Sequence, residues 1–250
     1  MRRVILETIP STLQRVARWL GVGIIPALLL GGCVSQRSEL VRPLVTLETG
    51  ANQDAIQRAQ RAVANLFPPQ YRATQRAIVT VGRRQFTCDG VLTASPVEGH
   101  HLAVVSSFGV VTDLRVKSDG ACEILKVTPL LREDWSRQFV ARDLRWLFAP
   151  PGPLEPAGWL ADGRLVLQTR PTADGLVARY IFNLSGERLQ ELELVRNARS
   201  FYRVSVRRYR AFAGSATEVP CEFEVSAESY HLNLRIAELR AIPAATGGTP

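Results

Sequence analysis

Two stretches late in the chain alternate residue by residue. Val219, Cys221, Phe223 and Val225 fall on one phase, with Glu218, Glu222 and Glu224 on the other. Tyr230, Leu232, Leu234 and Ile236 likewise oppose His231, Asn233 and Arg235. A period of two is what a β-strand with one buried and one wet face requires, and no helix can satisfy it. Similar runs recur upstream: RLVLQT, LVARYIFNL, RLQELELV and FYRVSVRRYRAF, separated by turn signals such as Ala173-Asp174-Gly175 and Ser185-Gly186-Glu187. A second β-rich block starts at Thr74 and is broken by Asp89-Gly90, Glu98-Gly99 and Ser118-Asp119-Gly120. Residues 154–160 read as irregular.

Two segments break the period. In ANQDAIQRAQRAVANLFPP, Ile56, Ala59, Val63, Leu66 and Phe67 recur at helical spacing, and Pro68-Pro69 ends the run. From Asp134 to Phe148, DWSRQFVARDLRWLF carries Trp135, Phe139, Val140, Leu144, Trp146, Leu147 and Phe148. That is too many large side chains for one narrow stripe, so a core face and a second apolar face are expected. The order is helix, about five strands, helix, about six strands. A mainly β (α+β) fold fits it: one strongly curved antiparallel sheet, an incomplete barrel of about 10–11 strands, with both helices over the concave face.

The first residues describe an address. Trp19 to Gly32 is an uncharged apolar run, preceded by Arg2, Arg3, Arg15 and Arg18 and followed after Cys33 by polar residues. The run has the length of a secretory h-region and is short for a bilayer span. A plain signal peptide with a chance cysteine is one reading. The other is a lipoprotein signal, since Leu30-Gly31-Gly32-Cys33 resembles the bacterial lipobox. That resemblance implies a signal peptide over 1–32, covalent diacylglycerol and acyl chains on Cys33, and Val34 in a position compatible with the outer membrane. Two or three acyl chains hold a protein to a bilayer stably where one does not. Residues 33–51 then read as a lipidated tether, 52–242 as a single β domain and 243–250 as a disordered tail.

Composition narrows the partners. The formal charge is +8, of which the four Arg and one Glu of residues 1–32 account for +3, leaving +5 on the rest. A basic balance can mean nucleic acid, but an exported lipoprotein does not meet it, so none is expected. Besides Cys33 the chain has Cys88, Cys122 and Cys221; in an oxidising compartment a Cys88–Cys122 disulfide is the expected pair, with Cys221 buried. No CxxC occurs and only His100, His101 and His231 are present, so neither a metal site nor a cofactor is expected. His100-His101 reads as a solvated turn, Asp134 and Asp143 as helix-surface acids, and Arg207, Arg208 and Arg210 as a solvated cationic edge. Ser106-Ser107 lacks a nucleophile elbow, and no enzyme is expected.

Several stretches resemble the LolA/LolB superfamily. YIFNLSGERLQELEL is similar to its strand, Gly-centred turn and strand; YRVSVRRYRAFAGSATEVPCEFEV resembles its Tyr-rich strand, loop and alternating strand; HLAVVSSFGVVTDLRVKSDG resembles an earlier hairpin. The resemblance implies a periplasm-facing, lipid-anchored outer-membrane protein with a hydrophobic cavity between sheet and helical lid. That cavity would hold lipid or an acylated protein, in lipoprotein localisation or envelope biogenesis, with a periplasmic carrier or envelope complex as partner. Ile56, Val63, Trp135, Phe139, Trp146, Phe223 and Leu234 are the candidate cavity and lid residues. Ordinary core packing of the same side chains is the alternative, and with it a structural or accessory lipoprotein whose core is filled. The turn Ser118–Ala121 offers no large apolar tip of the kind that LolB-type receptors carry.

Overall fold

The computed structural model describes residues 39–45, 53–107, 109–129, 133–148, 153–212 and 217–242. The signal run, Cys33 and the tail 243–250 lie outside them. Strand β1 (Glu39–Leu40) and helix α1 (Gln53–Ala64) come first, then five strands: β2 (Tyr71–Val81), β3 (Arg84–Ser95), β4 (Gly99–Ser106), β5 (Gly109–Val116) and β6 (Cys122–Val127). A mid-chain helix follows in three pieces: α2 (Glu133–Trp135), a π-helical turn (Ser136–Val140) and α3 (Ala141–Phe148). Seven strands complete the chain: β7 (Glu155–Trp159), β8 (Leu165–Gln168), β9 (Val177–Phe182), β10 (Leu189–Arg196), β11 (Arg199–Ala211), β12 (Glu218–Ala227) and β13 (His231–Ala241).

Twelve strands form one antiparallel sheet in the order β6-β5-β4-β3-β2-β13-β12-β11-β10-β9-β8-β7, and β1 pairs with β11 beside this path. The sheet curves without closing, so β6 and β7 are its two edges. Those edges are consecutive in the chain, and the mid-chain helix is the segment that joins them. The expected incomplete barrel with a helix at each predicted place is therefore what forms. It has more strands than expected because Glu155–Trp159 pairs with β8 instead of remaining irregular. Pro156 and Gly158 hide this strand in the sequence. Proline has no N–H to donate and is tolerated on an edge, and the register shifts between these two residues.

Cross-strand register puts one apolar set on the concave face. Leu234 stands opposite Phe223 and Ala77, Val225 opposite Val204 and Leu232, and Tyr180 opposite Leu192 and Leu167. A shift between Ile236 and Glu238 resets the phase of β13, so Leu239 is buried after Ile236. Helix α1 buries Ala55, Ala59 and Val63 in the same core. It seats closely on the β9–β10 turn: Gly186, at φ 74°, would put a Cβ 2.2 Å from the Ala55 carbonyl oxygen, so no larger residue fits there. The π-turn closes with the Ala141 N–H bonding to the Ser136 carbonyl, one residue further than in an α-helix. It lets Trp135 and Phe139 face Tyr230 while Leu144, Leu147 and Phe148 enter the core.

Two expectations fail. The first is the disulfide. Cys122 stands across from Val116, which is opposite His100, which is opposite Ala94, six residues along β3 from Cys88. At about 3.3 Å per residue and 4.8 Å per strand, this separates the two by more than twice the roughly 7 Å that a bridge allows. Both thiols are free, as is the buried Cys221.

The second is the tether. Residues 39–45 are strapped across the convex face instead of running free of the domain. Glu39 and Leu40 pair with Ser200 and Arg199, Val41 N–H bonds to the Ala198 carbonyl, and Val45 forms a bridge with Trp159. Leu44 packs on a second small cluster of Leu160, Val166 and Ile181. Beneath the strap lies a cluster of charges. Arg42 Nη2 is 2.6 Å from both Glu191 and Glu193, Arg203 is 3.1 Å from Glu193, and Arg164 also pairs with Glu191. Glu193 is only 1% exposed. Removing one partner of a buried carboxylate leaves charge uncompensated. Arg42→Ala is therefore expected to cost about 2 kcal/mol in urea unfolding, with Arg203 limiting the loss. Burial pushes the Glu191 carboxyl up, but Arg42 and Arg164 outweigh it and hold it below the usual range. Its share of the stability is thus present above the unfolded carboxylate pKa and vanishes as the pH falls through the folded one. The gap between wild type and Arg42→Ala should narrow in acid.

Candidate functional site

The concave face is covered unevenly. At its centre Leu144, Leu147 and Phe148 of α3 are buried in the core, and Phe148 meets Phe223 of β12. At one end of the strands a cleft of about 580 Å³ remains. One wall is the end of α1 and the turn after it, with Val63, Leu66, Phe67 and Pro68; the other is Tyr71, Ala94 and His100 from β2, β3 and β4. Phe148 forms the floor, and Pro153 and Leu154 close the side. Phe67 stacks on Tyr71 with ring centroids 5.5 Å apart and meets Phe148 at 5.2 Å, so this wall is a rigid aromatic group.

Few polar groups line the cleft. The Tyr71 hydroxyl is buried without a hydrogen-bond partner among the described residues. Burial lowers the His100 pKa, partly offset by a hydrogen bond to the Phe148 backbone, so its imidazole is neutral at pH 7. The expected solvated turn at His100-His101 is instead the start of β4. His101 faces the other side of the sheet, 2.7 Å from Asp113. A volume within the usual range of ligand sites, apolar walls and few directed groups suit a hydrocarbon chain.

Of the seven candidate cavity and lid residues, only Val63 lines this cleft. Ile56 is half-buried against the core; Phe223 and Leu234 are buried beneath the helices, with Phe223 edge-on to Phe148 at 6.2 Å. Trp146 is half-buried on the helix flank with the Arg145 guanidinium 6.0 Å over its ring. Trp135 and Phe139 meet each other at 5.3 Å and Tyr230 at 6.2 and 5.5 Å, near the far end of the helix. The lining residues Leu66 and Phe67 carried a visible signal, since they continue the stripe of α1 past its last turn. Tyr71, Ala94 and His100 carried none, because their convergence depends on strand register.

Sequence reasoning also missed a polar latch under the helix. Asp143, read as a solvated acid, is buried. The Tyr230 hydroxyl lies 2.6 Å from each of its oxygens and donates to the carboxylate; Arg142 Nη2 donates to the Tyr230 oxygen at 3.1 Å. The Arg142 guanidinium sits 4.8 Å over the Tyr202 ring and 5.2 Å over that of Phe139. Tyr202, from β11, thus lies under Arg142, while Tyr230, from the β12–β13 turn, binds Asp143. Together they tie α3 to the sheet. Burial pushes the Asp143 carboxyl up to about 6, although Tyr230 and Arg142 pull it down. A raised carboxyl holds its proton in the folded state between the two pKa values, so stability falls as the pH rises from about 4 to 6 and levels off above. The shift corresponds to about 3 kcal/mol for a fully buried group. Asp143→Asn should flatten this part of the profile: the Tm difference between wild type and variant is expected to change across pH 4–7 and stay constant above it.

Among the described residues no three His, Cys, Asp or Glu side chains converge as a metal site, and no helix is long and apolar enough to cross a membrane. No family model and no curated protein matches the chain. Solved structures do. A domain assigned to outer-membrane lipoprotein sorting in Vibrio parahaemolyticus superposes with a TM-score of 0.52 at 11% identity, covering 80% of this chain and 95% of that one. A LolA superfamily protein from Nitrosomonas europaea gives 0.52 at 11% identity, covering 78% and 96%. At such identity the likeness is one of architecture, and by that measure the chain has a LolA-like fold.

Proposed function

We propose that this chain is a lipid-anchored protein of the bacterial envelope that binds an acyl chain, free or carried by an acylated protein, in the cleft between α1, α3 and β2–β4. The observation that carries the reading is the cleft itself: a mostly apolar space of about 580 Å³ beside the buried core of the concave face. The LolA-like fold supports it, since neighbours of this architecture include a lipoprotein-sorting domain. The Leu30–Cys33 pattern supports an anchor of diacylglycerol and acyl chains on Cys33, with the outer membrane as the site of attachment. The task is binding without catalysis. Hydrocarbon would cover the Val63, Leu66 and Phe67 side chains, and an ester or amide carbonyl would accept from the Tyr71 hydroxyl.

One observation favours a second reading. Leu144, Leu147 and Phe148 fill the centre of the concave face, as a structural or accessory lipoprotein of an envelope complex would require. The two differ in one measurement. A soluble form beginning at Val34 keeps the strap and should bind a fluorescent fatty acid or lipopeptide saturably. Ala64 is exposed at the cleft wall, so Ala64→Trp fills the space without deleting a core atom. It should weaken binding by about tenfold or more while shifting stability by less than about 0.5 kcal/mol. Absence of binding by the folded wild type would leave the accessory reading.

The anchor has its own test. Cys33→Ser in the full chain should yield a protein without the acyl mass that no longer fractionates with membranes. An acylated, processed product of unchanged mass would exclude the lipoprotein assignment.

A further inference from the structure

Resting on the anchored-lipoprotein reading, the strap fixes how far the domain can stand from its membrane. Glu39 and Leu40 are paired to Ser200 and Arg199, next to the β10–β11 turn at Asn197-Ala198. Only five residues lie between Cys33 and Glu39, a span of six residue steps. Such a span reaches at most about 20 Å when fully extended. A bilayer holding acyl chains on Cys33 is thus within about 20 Å of Glu39, which lies beside that turn, however the intervening residues run.

The register shows what else lies at that end. Arg203 is opposite Ser226, Ser226 opposite His231, and His231 opposite Thr80, so the β2–β3 turn at Gly82-Arg83 ends on the same side as the β10–β11 turn. Three strand spacings, about 15 Å, lie between β11 and β2. Beyond the last β3–β4 pair at Asp89 and Val105, residues Arg84–Cys88 pair with β2 alone. This protruding ribbon carries Arg83 and Arg84 at its tip, with Val81 36% and Phe86 47% exposed on it. Arg199 is exposed beside the strap. None of these three arginines forms an ion pair among the described residues. The acids at this end include Glu228 in the β12–β13 turn, Asp174 before β9, which pairs with Arg196, and Glu155 at the start of β7, which pairs with Arg170.

The opposite end of the strands has a different character. Val97 and Leu184 are exposed there, but its turns carry Glu98, Asp119 and Glu187 beside Lys117 and Arg188, with Asp162 paired to Arg164 and Arg188 paired to Glu218. An anionic surface attracts the first end and repels these acids, over a Debye length of about 8 Å. Cationic side chains flanking exposed aromatic and aliphatic groups are also the composition that seats a segment in a lipid interface.

We propose that the end of the sheet formed by the β2–β3 and β10–β11 turns rests on an anionic phospholipid bilayer, with Arg83, Arg84 and Arg199 at the headgroups and Val81 and Phe86 in the interface. The apolar cleft, between Ala94 and the turn after α1, then opens away from the anchoring membrane.

Hydrogen exchange on the full acylated chain tests this. The protein is placed in vesicles of phosphatidylcholine with phosphatidylglycerol, in phosphatidylcholine alone, and in detergent micelles. Amides of residues 81–87 and 196–200 should exchange about tenfold more slowly in the anionic vesicles than in the zwitterionic ones. Arg83→Glu combined with Arg84→Glu should abolish the difference on the β2–β3 ribbon, and Arg199→Glu, on a separate turn, should reduce it at 196–200. Protection at 96–98 and 183–187 instead, or none at either end, overturns the proposal. Equal protection in micelles would mean contact between copies of the chain and also overturns it. Mass spectrometry separates this from failure of the underlying reading: an unacylated Cys33 removes both, whereas an acylated, vesicle-bound chain without protection removes the orientation alone.

Discussion

Burial of Leu144, Leu147 and Phe148 against the concave face closes a sheet that does not close itself. Twelve strands of strong right-handed twist curl far enough to bring β6 and β7 to opposite lips of an opening, but these edges do not pair. Both would be liabilities if left bare over an apolar hollow. The chain solves this with the segment that must in any case travel from one lip to the other. Its apolar side covers the hollow, and its polar side, with Glu133, Asp134, Arg137, Gln138 and Arg145, remains wet. The helix cannot leave without exposing that hollow, and each buried Leu or Phe contributes about 1.5–3 kcal/mol to keeping it in place.

The latch beneath the helix has a different energetic character. Asp143, Arg142, Tyr230 and Tyr202 are directional and depend on charge, whereas the leucines beside them are neither. A buried carboxylate with a raised pKa is costly to keep ionised, so this arrangement does not maximise stability. It specifies position: the aromatic rings of β11 and the β12–β13 turn accept the helix in one rotational setting. The π-turn just before it makes the same point from the backbone side. One extra residue in the helix is what allows Phe139 and Leu144 to face different neighbours.

Much of the architecture could be read from local pattern. Val219 to Val225 and Leu232 to Ile236 declare strands because the core lies on one side of them only, and Ala59, Val63 and Leu66 declare a helix for the same reason. What stayed hidden involved partners far away in the chain or local residues that mislead. Glu155–Trp159 contains proline and glycine that only an edge permits. Residues 39–45 read as part of a tether, because the groups that bind Arg42 lie 149 and 151 positions later. The nearness of Cys88 and Cys122 in sequence concealed two intervening strands and opposite ends of the ladder. For the site, the apolar end of α1 was legible, while Tyr71 and His100 join it only through register. Asp143 lay outside the reach of pattern altogether, since nothing about an acid on a helix says that two tyrosines will wait beneath it.

The strap has a consequence in time. Its contacts join residues near position 40 to residues near positions 160 and 200, some of the longest sequence separations in the molecule. Contacts of that kind require most of the chain to be in place, because the loop they close must be ordered first. Synthesis from the N-terminus supplies the strap early and β10 and β11 late. Until those strands form, Arg42 has no carboxylates to meet and Glu193 no cover. The strap is thus among the last segments to settle, and its docking reports that the whole sheet has been completed.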